Sequence, residues 1–555
     1  MQQIKDALAA ALEKEGVSGV EVPLEHTADF AHGDYASSVA LSFSKQLGVN
    51  PRELAEKLVV SMGDVDGVSK IEIAGPGFIN FTLAPAFLFE MLDIGRKHGS
   101  KWGSGILLEG EEILLEYTSP NLFKPLHIGN LVGNVIGESI SRLFEFAGAE
   151  VQRINYPSDM GLTVAKGVWG LQKIGGDPKD IRDLGEAYRV GSAAYEDDSL
   201  AKDDIDAVNK KLYEESDEEL NKLRDAGKKT SKKHLDELCR MLGTKFDAEI
   251  FESEAGPVGK KLVEKHIGDV FEKSDGAVVF PGEKYGLHTR VFLNSMGLPT
   301  YEAKDLGNFA LKHKAYPDFG RLYFVTGVEQ QEYFKVIIQA IRKVFPDEAE
   351  KQIGHIATGF LTLTTGKMSS RKGNVLTGEE LLADLRAEAK VRSAESRAED
   401  TDALAEHIAV AALKFQILKG GASKNIVFDR ERALSLEGDS GPYLQYAHAR
   451  THAILEKAKE AGIKTKFDED ATTSELARLI FRFYETVKHS QEELEPHHVA
   501  NYLIQVASAF NSWYAQEQIL DGTDAAAHKV ALADITRLTL KNGLWLLGIP
   551  APEKV

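Results

Sequence analysis

The hydrophobic rhythm changes along this chain. In the middle, short strand-like runs recur, bounded by glycine or polar residues: Ile113-Leu114-Leu115, Val151 to Tyr156 (with polar residues interleaved), Gly276 to Phe280, Val291-Phe292-Leu293, Leu322 to Gly327 and Thr358 to Leu363. Such runs predict buried strands. An amphipathic stretch, Leu131 to Phe146, lies between the first two, giving the order strand, polar loop, helix, strand of a parallel crossover. Beyond about residue 376 the pattern is helical to the end, with Leu476, Leu479, Ile480 and Phe483, then Leu503, Val506, Ala507 and Phe510, at helical spacing. The first hundred residues mix both rhythms. Ile4, Leu8 and Leu12 line a helix face, Pro51 starts another helix, and Ile71 to Ala74 and Phe78 to Leu83 read as a hairpin broken at Gly75-Pro76-Gly77. From about 165 to 260 the chain is polar, charged and helical, an insertion between two halves of a sheet.

The loop after the first run carries the densest chemistry: Glu116-Tyr117-Thr118-Ser119-Pro120-Asn121-Leu122-Phe123-Lys124-Pro125-Leu126-His127-Ile128-Gly129-Asn130. It ends where a helix begins, and unpaired N–H groups at a helix start favour a phosphate. Gly129 allows close approach to the backbone, and His127 can donate to a phosphate oxygen. Far downstream lies a second polar loop, Gly366-Lys367-Met368-Ser369-Ser370-Arg371-Lys372-Gly373-Asn374.

Length and composition bound the reading. At 555 residues two to four domains are expected, and 43% hydrophobic with 27% charged residues is a globular composition. The single cysteine, Cys239, excludes an intrachain disulfide and a cysteine-built zinc site. No apolar run approaches the roughly 20 residues needed to span a bilayer, and the N-terminus has no signal-peptide core. A cytoplasmic protein without a membrane partner is expected. The net charge of −19 gathers in acidic runs such as Glu214 to Glu219, while lysines cluster at 228–233 and 367–372, so bulk charge neither supports nor excludes a nucleic-acid partner.

The two loops, in this order and on either side of an insertion, resemble the HIGH and KMSKS motifs of class I aminoacyl-tRNA synthetases. The flanking Ser-Pro-Asn and Lys-Pro, His32 to Ser37, Gly75 to Asn80, Phe246 to Ser253 and Gly441 to Arg450 are similar to strings of the arginyl branch. The resemblance implies an α/β multidomain chain. It would comprise a small N-terminal α/β domain contacting the tRNA elbow (1–100), a Rossmann-like catalytic domain (101–375, insertion about 165–260), a connecting helical segment (376–437) and an all-α anticodon-binding domain (438–555). It implies an arginine–tRNA ligase that activates arginine with ATP, accompanied by Mg2+, and passes it to the 3′ end of tRNA(Arg). A monomer is expected, with no resident metal.

By resemblance, His127, Gly129, Asn130, Lys367, Met368, Ser369 and Ser370 meet ATP, and His127, Lys367 and Lys124 are catalytic. Glu116, Ser119, Asn121, His127, Tyr301, Asp305 and Gln330 meet arginine. A guanidinium is a planar fork of donors that suits paired acids, and Tyr301 and Asp305 lie four apart on one helix face. Phe78, Asn80, Tyr443, Gln445, Tyr446 and Arg450 would face tRNA, the alternative for the two tyrosines being ordinary core aromatics.

Departures keep other readings open. Asn130 stands where the family has a second histidine, Ser370 where it has a second lysine, and Ser158 and Met160 interrupt a Gly-Asp-Trp-Gly string. Arg371, Lys372 or the upstream Lys124 would then supply the missing cation. A cysteinyl enzyme is disfavoured by the lone Cys239, and a tRNA-binding paralogue without catalysis is the alternative of another class.

Overall fold

The computed structural model describes residues 1–124, 126, 128–364, 377–393 and 398–555. It divides into two compact units, residues 1–103 with 447–485 and 505–542, and residues 104–446 with 486–504 and 543–555.

The second unit is built on five parallel strands: β1 Glu112–Glu116, β2 Glu150–Asn155, β3 Ala248–Glu249, β4 Arg321–Gly327 and β5 Gln352–Thr358. Their spatial order is β5-β4-β1-β2-β3. The order reverses between β1 and β4, and the carboxyl ends of strands open a ligand crevice at such a switch point. Glu116, the last residue of β1, pairs in register with Phe324 of β4 and Ile154 of β2.

Helix Ile128–Phe146 returns from β1 to β2 and packs tightly on the sheet. A Cβ on its Gly137 would stand 2.4 Å from the Tyr117 ring, so that glycine lets the helix pack closely on the chain leaving β1. Helices Glu252–Lys265 and Tyr301–Ala315 cross even more closely, because a Cβ at Gly259 would meet the Ala303 carbonyl oxygen at 1.7 Å.

Three sequence expectations are corrected. Residues Ala277–Phe280 and Arg290–Leu293 do not enter the parallel sheet; with Glu272–Ser274 they form their own antiparallel sheet. The run at Thr358 to Leu363 is split: β5 ends at Thr358, and Leu361–Leu363 pairs instead with Ile426–Phe428, a strand inside the stretch read as wholly helical. The edge strand β3 lies within the stretch read as insertion, and at two residues it is too short to show a period.

The insertion helices Leu162–Ile174, Ile181–Asp197, Ser199–Glu214 and Glu218–Met241 share one apolar cluster that includes Leu122 and Phe123. Phe123 has φ 66°, and its ring lies where a Cβ on Gly167 or Gly227 would stand, at 2.9 and 2.4 Å. Its N–H donates to Ser231 Oγ at 3.1 Å.

In the first unit the predicted hairpin is present, Val68–Ala74 against Phe78–Leu83, within a four-stranded sheet. Helix Pro51–Met62 starts as expected, capped by the Asn50 side chain with proline in its first turn. Phe89 stacks on Phe467 at 5.5 Å, and the Trp102 indole donates to Thr539 Oγ1 at 2.9 Å.

Candidate active site

The loop leaving β1 is held in an unusual backbone. Thr118, Ser119 and Phe123 all have positive φ, at 75°, 38° and 66°. Non-glycine residues are strained there and need outside support, a condition that gathers at functional sites. The support is on hand. Asn130 Nδ2 donates to the Thr118 carbonyl at 3.0 Å, and Asn134 Nδ2 to Thr118 Oγ1 at 3.0 Å. Ser158 N–H donates to Pro120 O, and Leu122 N–H to Ser158 O, at 2.9 and 3.0 Å, so the loops after β1 and β2 are stitched together. Asn130, read from sequence as an ATP contact, thus also fixes the loop beside it.

Beneath the loop, Tyr117 donates to Glu138 Oε2 at 2.7 Å. Burial works against the Glu138 charge, but Arg142 and Arg153, at 2.7 and 3.1 Å, hold its carboxyl below the usual range. Arg142 goes on to the carbonyls of Gly243 and Trp545. Lys414, fully buried, donates to the carbonyls of Leu242 and Gly548, and burial pushes its ammonium down to about 7.

The acids gather at the end of β1. Glu116 is buried, and its Oε2 accepts from Asn308 Nδ2 at 2.8 Å and pairs with the ammonium of Lys312. Sequence reasoning missed both partners. Asp305, Asn308 and Lys312 sit three, four and seven apart on helix Tyr301–Ala315, a polar stripe on one face that spacing alone could have shown. Burial pushes the Asp305 carboxyl up to about 8; Glu116 and Glu252 add to the rise, while Tyr333 and Lys312 oppose it. Tyr333, also missed, donates its hydroxyl to Asp305 Oδ2 at 2.5 Å. Tyr301, one turn earlier, is 61% exposed and lies at the rim, with Lys304 Nζ 5.0 Å from its ring centroid.

Polar atoms without a hydrogen-bond partner among the described residues mark the same region: Ser119 Oγ, Tyr156 Oη and Asn308 Oδ1. The buried Tyr156 hydroxyl faces the charges of Asp305, Glu252, Glu116 and Asp159, and burial raises it well above a normal tyrosine. Asp159 is spent on Lys228 Nζ at 2.6 Å and on Ser253 Oγ at 2.7 Å, so it fastens the insertion. Gln330 stands just beyond β4, in the turn that opens helix Gln331–Val344. Asn121 is exposed and bridges to Ser158, and Lys124 is exposed with Nζ 5.7 Å from the Tyr188 ring centroid.

His127 and the loop residues Lys367, Met368, Ser369, Ser370, Arg371 and Lys372 lie outside the described residues. The chain on either side of that second loop is placed. Thr364 N–H donates to Phe428 O at 3.3 Å, and Gly378 N–H donates to Leu126 O at 3.0 Å, within the first loop. A Cβ at Gly378 would meet Leu131 at 2.7 Å. Helix Gly378–Arg392 starts there with a capping box between Thr377 and Glu380.

Of the residues expected to face tRNA, Phe78 is 40% exposed, while Asn80 is buried on its strand between Ala36 and Glu72. Tyr443, Tyr446 and Arg450 are half-buried on helix Gly441–Glu460. Gln445 is corrected: it is 0% exposed, and its amide donates to the carbonyls of His407 and Pro550 at 3.2 and 2.8 Å, which removes it from any RNA-facing set.

Residues 100–430 match the family model for the class I (R) tRNA synthetase catalytic domain, residues 2–83 that for the arginyl tRNA synthetase N-terminal domain, and residues 444–555 that for the DALR anticodon binding domain. The chain is 31% identical to an arginine–tRNA ligase of Limosilactobacillus reuteri, over 100% of this chain and 99% of that one. It is 31% identical to an arginine–tRNA ligase of Clostridium perfringens, over 91% and 90%. The fold is similar to Thermus thermophilus arginyl-tRNA synthetase, with a TM-score of 0.82, 27% identity and 100% and 99% coverage.

Proposed function

Since the chain belongs to the class I arginyl-tRNA synthetases, we propose which of its residues carry the two steps of that family's reaction. The activity is arginine–tRNA ligation through an adenylate. A carboxylate oxygen of arginine attacks the α-phosphorus of ATP, and the bond to pyrophosphate breaks. A ribose hydroxyl at the tRNA 3′ end then attacks the arginyl carbonyl, and AMP leaves. Such transfers ask a protein mainly for positioning and for charge stabilisation of the phosphate oxygens.

ATP takes the start of helix Ile128–Phe146, with its phosphates toward Gly129, Asn130, His127 and the segment of Lys367, Met368, Ser369 and Ser370. The attachment of Gly378 to Leu126 supports this, since it brings the exit of the second loop to the first. Mg2+ arrives with ATP and supplies charge neutralisation on the phosphates. Lys124, exposed and upstream of His127, is a further phosphate donor.

Arginine takes the crevice between β1 and β4. The observation that carries this is the convergence of Glu116 and Asp305 there, with Tyr333 behind Asp305 and Lys312 behind Glu116. Among the described residues both side-chain contacts of Glu116 fall on Oε2, so Oε1 is the oxygen turned to the guanidinium. Tyr301 closes the rim. Ser119, Asn121, His127 and Gln330 hold the α-amino and carboxylate end, and the unpartnered Ser119 hydroxyl supports that assignment. Lysine is rejected because its compact ammonium cannot satisfy two acids set for a planar fork.

For tRNA, Phe78 stacks on an unpaired base with Asn80 on the same sheet face, and Tyr443, Tyr446 and Arg450 lie on the anticodon-binding side. The four segments follow the sequence boundaries of 1–100, 101–375, 376–437 and 438–555. The protein works as a cytoplasmic monomer; among the described residues no helix is long and apolar enough to cross a membrane.

The test is charging of bulk tRNA scanned over the twenty amino acids, with ATP–pyrophosphate exchange measured with and without tRNA. Arginine alone supports both. The pocket assignment is overturned if Asp305→Asn keeps the wild-type arginine KM.

A further inference from the structure

Away from the crevice, two imidazoles and a carboxylate converge where helix Phe483–Glu493 turns into helix His497–Gln516. His489 and Glu493 are one helical turn apart and so share a face. Leu494, at φ 58°, reverses the chain, and the turn is locked by Glu495 N–H donating to Ser490 O and by Ser490 Oγ donating to Glu495 O, at 3.0 and 2.7 Å. This folds His498 back over His489, with ring centroids 4.4 Å apart. Glu493 Oε2 lies 3.0 Å from His498 Nε2 and 3.7 Å from His489 Nε2. One donor atom from each of the three residues lies within 4.8 Å of the others.

We propose that His489, Glu493 and His498 form a binding site for a zinc-class divalent ion that staples the two helices together. Zinc bonds of about 2.0–2.1 Å in a tetrahedron space the ligand atoms about 3.4 Å apart. The two carboxylate–imidazole distances bracket that spacing, and all three side chains end at the surface, where small rotations close the remainder. Two imidazoles and one carboxylate select zinc, cobalt or nickel over magnesium and calcium, which take oxygen ligands. The site is therefore separate in chemistry from the Mg2+ that travels with ATP. Water fills the fourth position.

His497 is excluded from the set. Its Nδ1 is held by Glu495 Oε2 at 3.0 Å, and the same oxygen accepts the Ala422 N–H at 2.9 Å. That anchoring makes His497 the natural control. Cys239, the one cysteine of the chain, is buried and far in sequence from the three donors.

The experiment uses the full chain without a histidine tag, stripped with a chelator, and titrated with Zn2+ against a chromophoric indicator and separately with Co2+. One equivalent is expected to bind with a micromolar or lower dissociation constant, unaffected by millimolar Mg2+, with visible Co2+ bands of a low-coordinate nitrogen–oxygen site. His489→Gln and His498→Gln each weaken Zn2+ binding at least tenfold and remove the Co2+ bands; His497→Gln leaves both unchanged. Saturating Zn2+ raises the wild-type Tm but not that of the first two variants. The proposal falls if no saturable site appears, or if His489→Gln and His498→Gln bind as tightly as wild type, which would place the ion elsewhere.

Discussion

Lys312 and Glu116 form an ion pair inside the crevice, Lys312 at 0% exposure and Glu116 at 4%. The pair lies against Phe324, whose ring centroid is 4.5 Å from the ammonium. Glu116 is thus already counter-charged by Lys312, and of the two acids Asp305, its carboxyl pushed up to about 8 by burial, is the one that pairs with the Tyr333 hydroxyl instead of a cation. As the proposed arginine pocket, the crevice would suit one guanidinium rather than a strongly cationic group in general.

Removing one partner strands the other. Lys312→Met leaves a buried carboxylate uncompensated and is expected to cost about 3–5 kcal/mol of stability, the usual penalty for breaking a buried pair. The double variant Lys312→Met with Glu116→Gln recovers most of that loss in chemical denaturation and still fails to activate arginine. Equal stability of the single variant and wild type would mean that the pair is not formed.

On the proposed pocket assignment, Asp305 would make arginine binding pH-dependent. With its carboxyl pushed up to about 8 by burial, a proton must leave before the guanidinium can pair with it. The arginine KM in pyrophosphate exchange is expected to fall by up to about tenfold per pH unit between about pH 6 and 8 and then level off. Asp305→Asn abolishes that slope along with tight binding. Stability runs the other way. A carboxyl raised above its unfolded value near 4 keeps its proton only in the folded state, so its contribution is fully present below about pH 4 and is lost as pH rises through about 8. Asp305→Asn should therefore gain stability relative to wild type at pH 8, read as a higher urea midpoint.

Asn130 links helix Ile128–Phe146 to a strained loop. Asn130→Ala deletes the bond to Thr118 O, and the left-handed Thr118 and Ser119 lose a support. The expected result is a lower kcat in pyrophosphate exchange with a small stability change, about 0.5–1.5 kcal/mol. Asn130→Asp, which cannot donate, should behave like Asn130→Ala; an unchanged kcat in both would dismiss the role.

Lys124 has a sharper test. If it donates to phosphate, Lys124→Ala lowers the exchange rate on the order of 100-fold or more. Unchanged adenylate chemistry would discard it.

On the proposed tRNA assignment, Phe78 bears on tRNA alone. Loss of one stacked base costs about 1–3 kcal/mol, so Phe78→Ala should raise the tRNA KM in charging by roughly 5- to 150-fold and leave the arginine and ATP KM values in place. A shift in the ATP KM instead would point to misfolding.

How far the chain could be read follows from what each residue does. The strands at Ile113 and Leu322 are buried on both faces and advertise themselves as apolar runs, whereas the strand at Val151 carries polar residues, is only partly buried and is legible from its place after the helix. β3 is two residues long and carries no rhythm, and Leu361–Leu363 could not be separated from β5 because the break between them is set by a partner strand over sixty residues away. In the proposed site, resemblance and spacing singled out Tyr301 and Asp305, and the structure places Tyr301 at the rim and Asp305 within reach of the Glu116 charge. Lys312 was not, because a lysine is almost always solvent-facing and only the fold shows it enclosed. Gln445 failed for the opposite reason: its neighbours suggested RNA, but its amide is consumed by two carbonyls that sequence cannot bring near.

The placement of Phe123 reaches beyond the static site. Its ring is a structural member of the insertion while its backbone belongs to the strained loop after β1. Neither segment can be complete without the other, so the two should unfold as one cooperative block. Amide protons of Tyr117 to Phe123 and those of helix Glu218–Met241 should then exchange with solvent at a common opening rate, and a lesion deep in the insertion would silence catalysis without touching a single substrate contact.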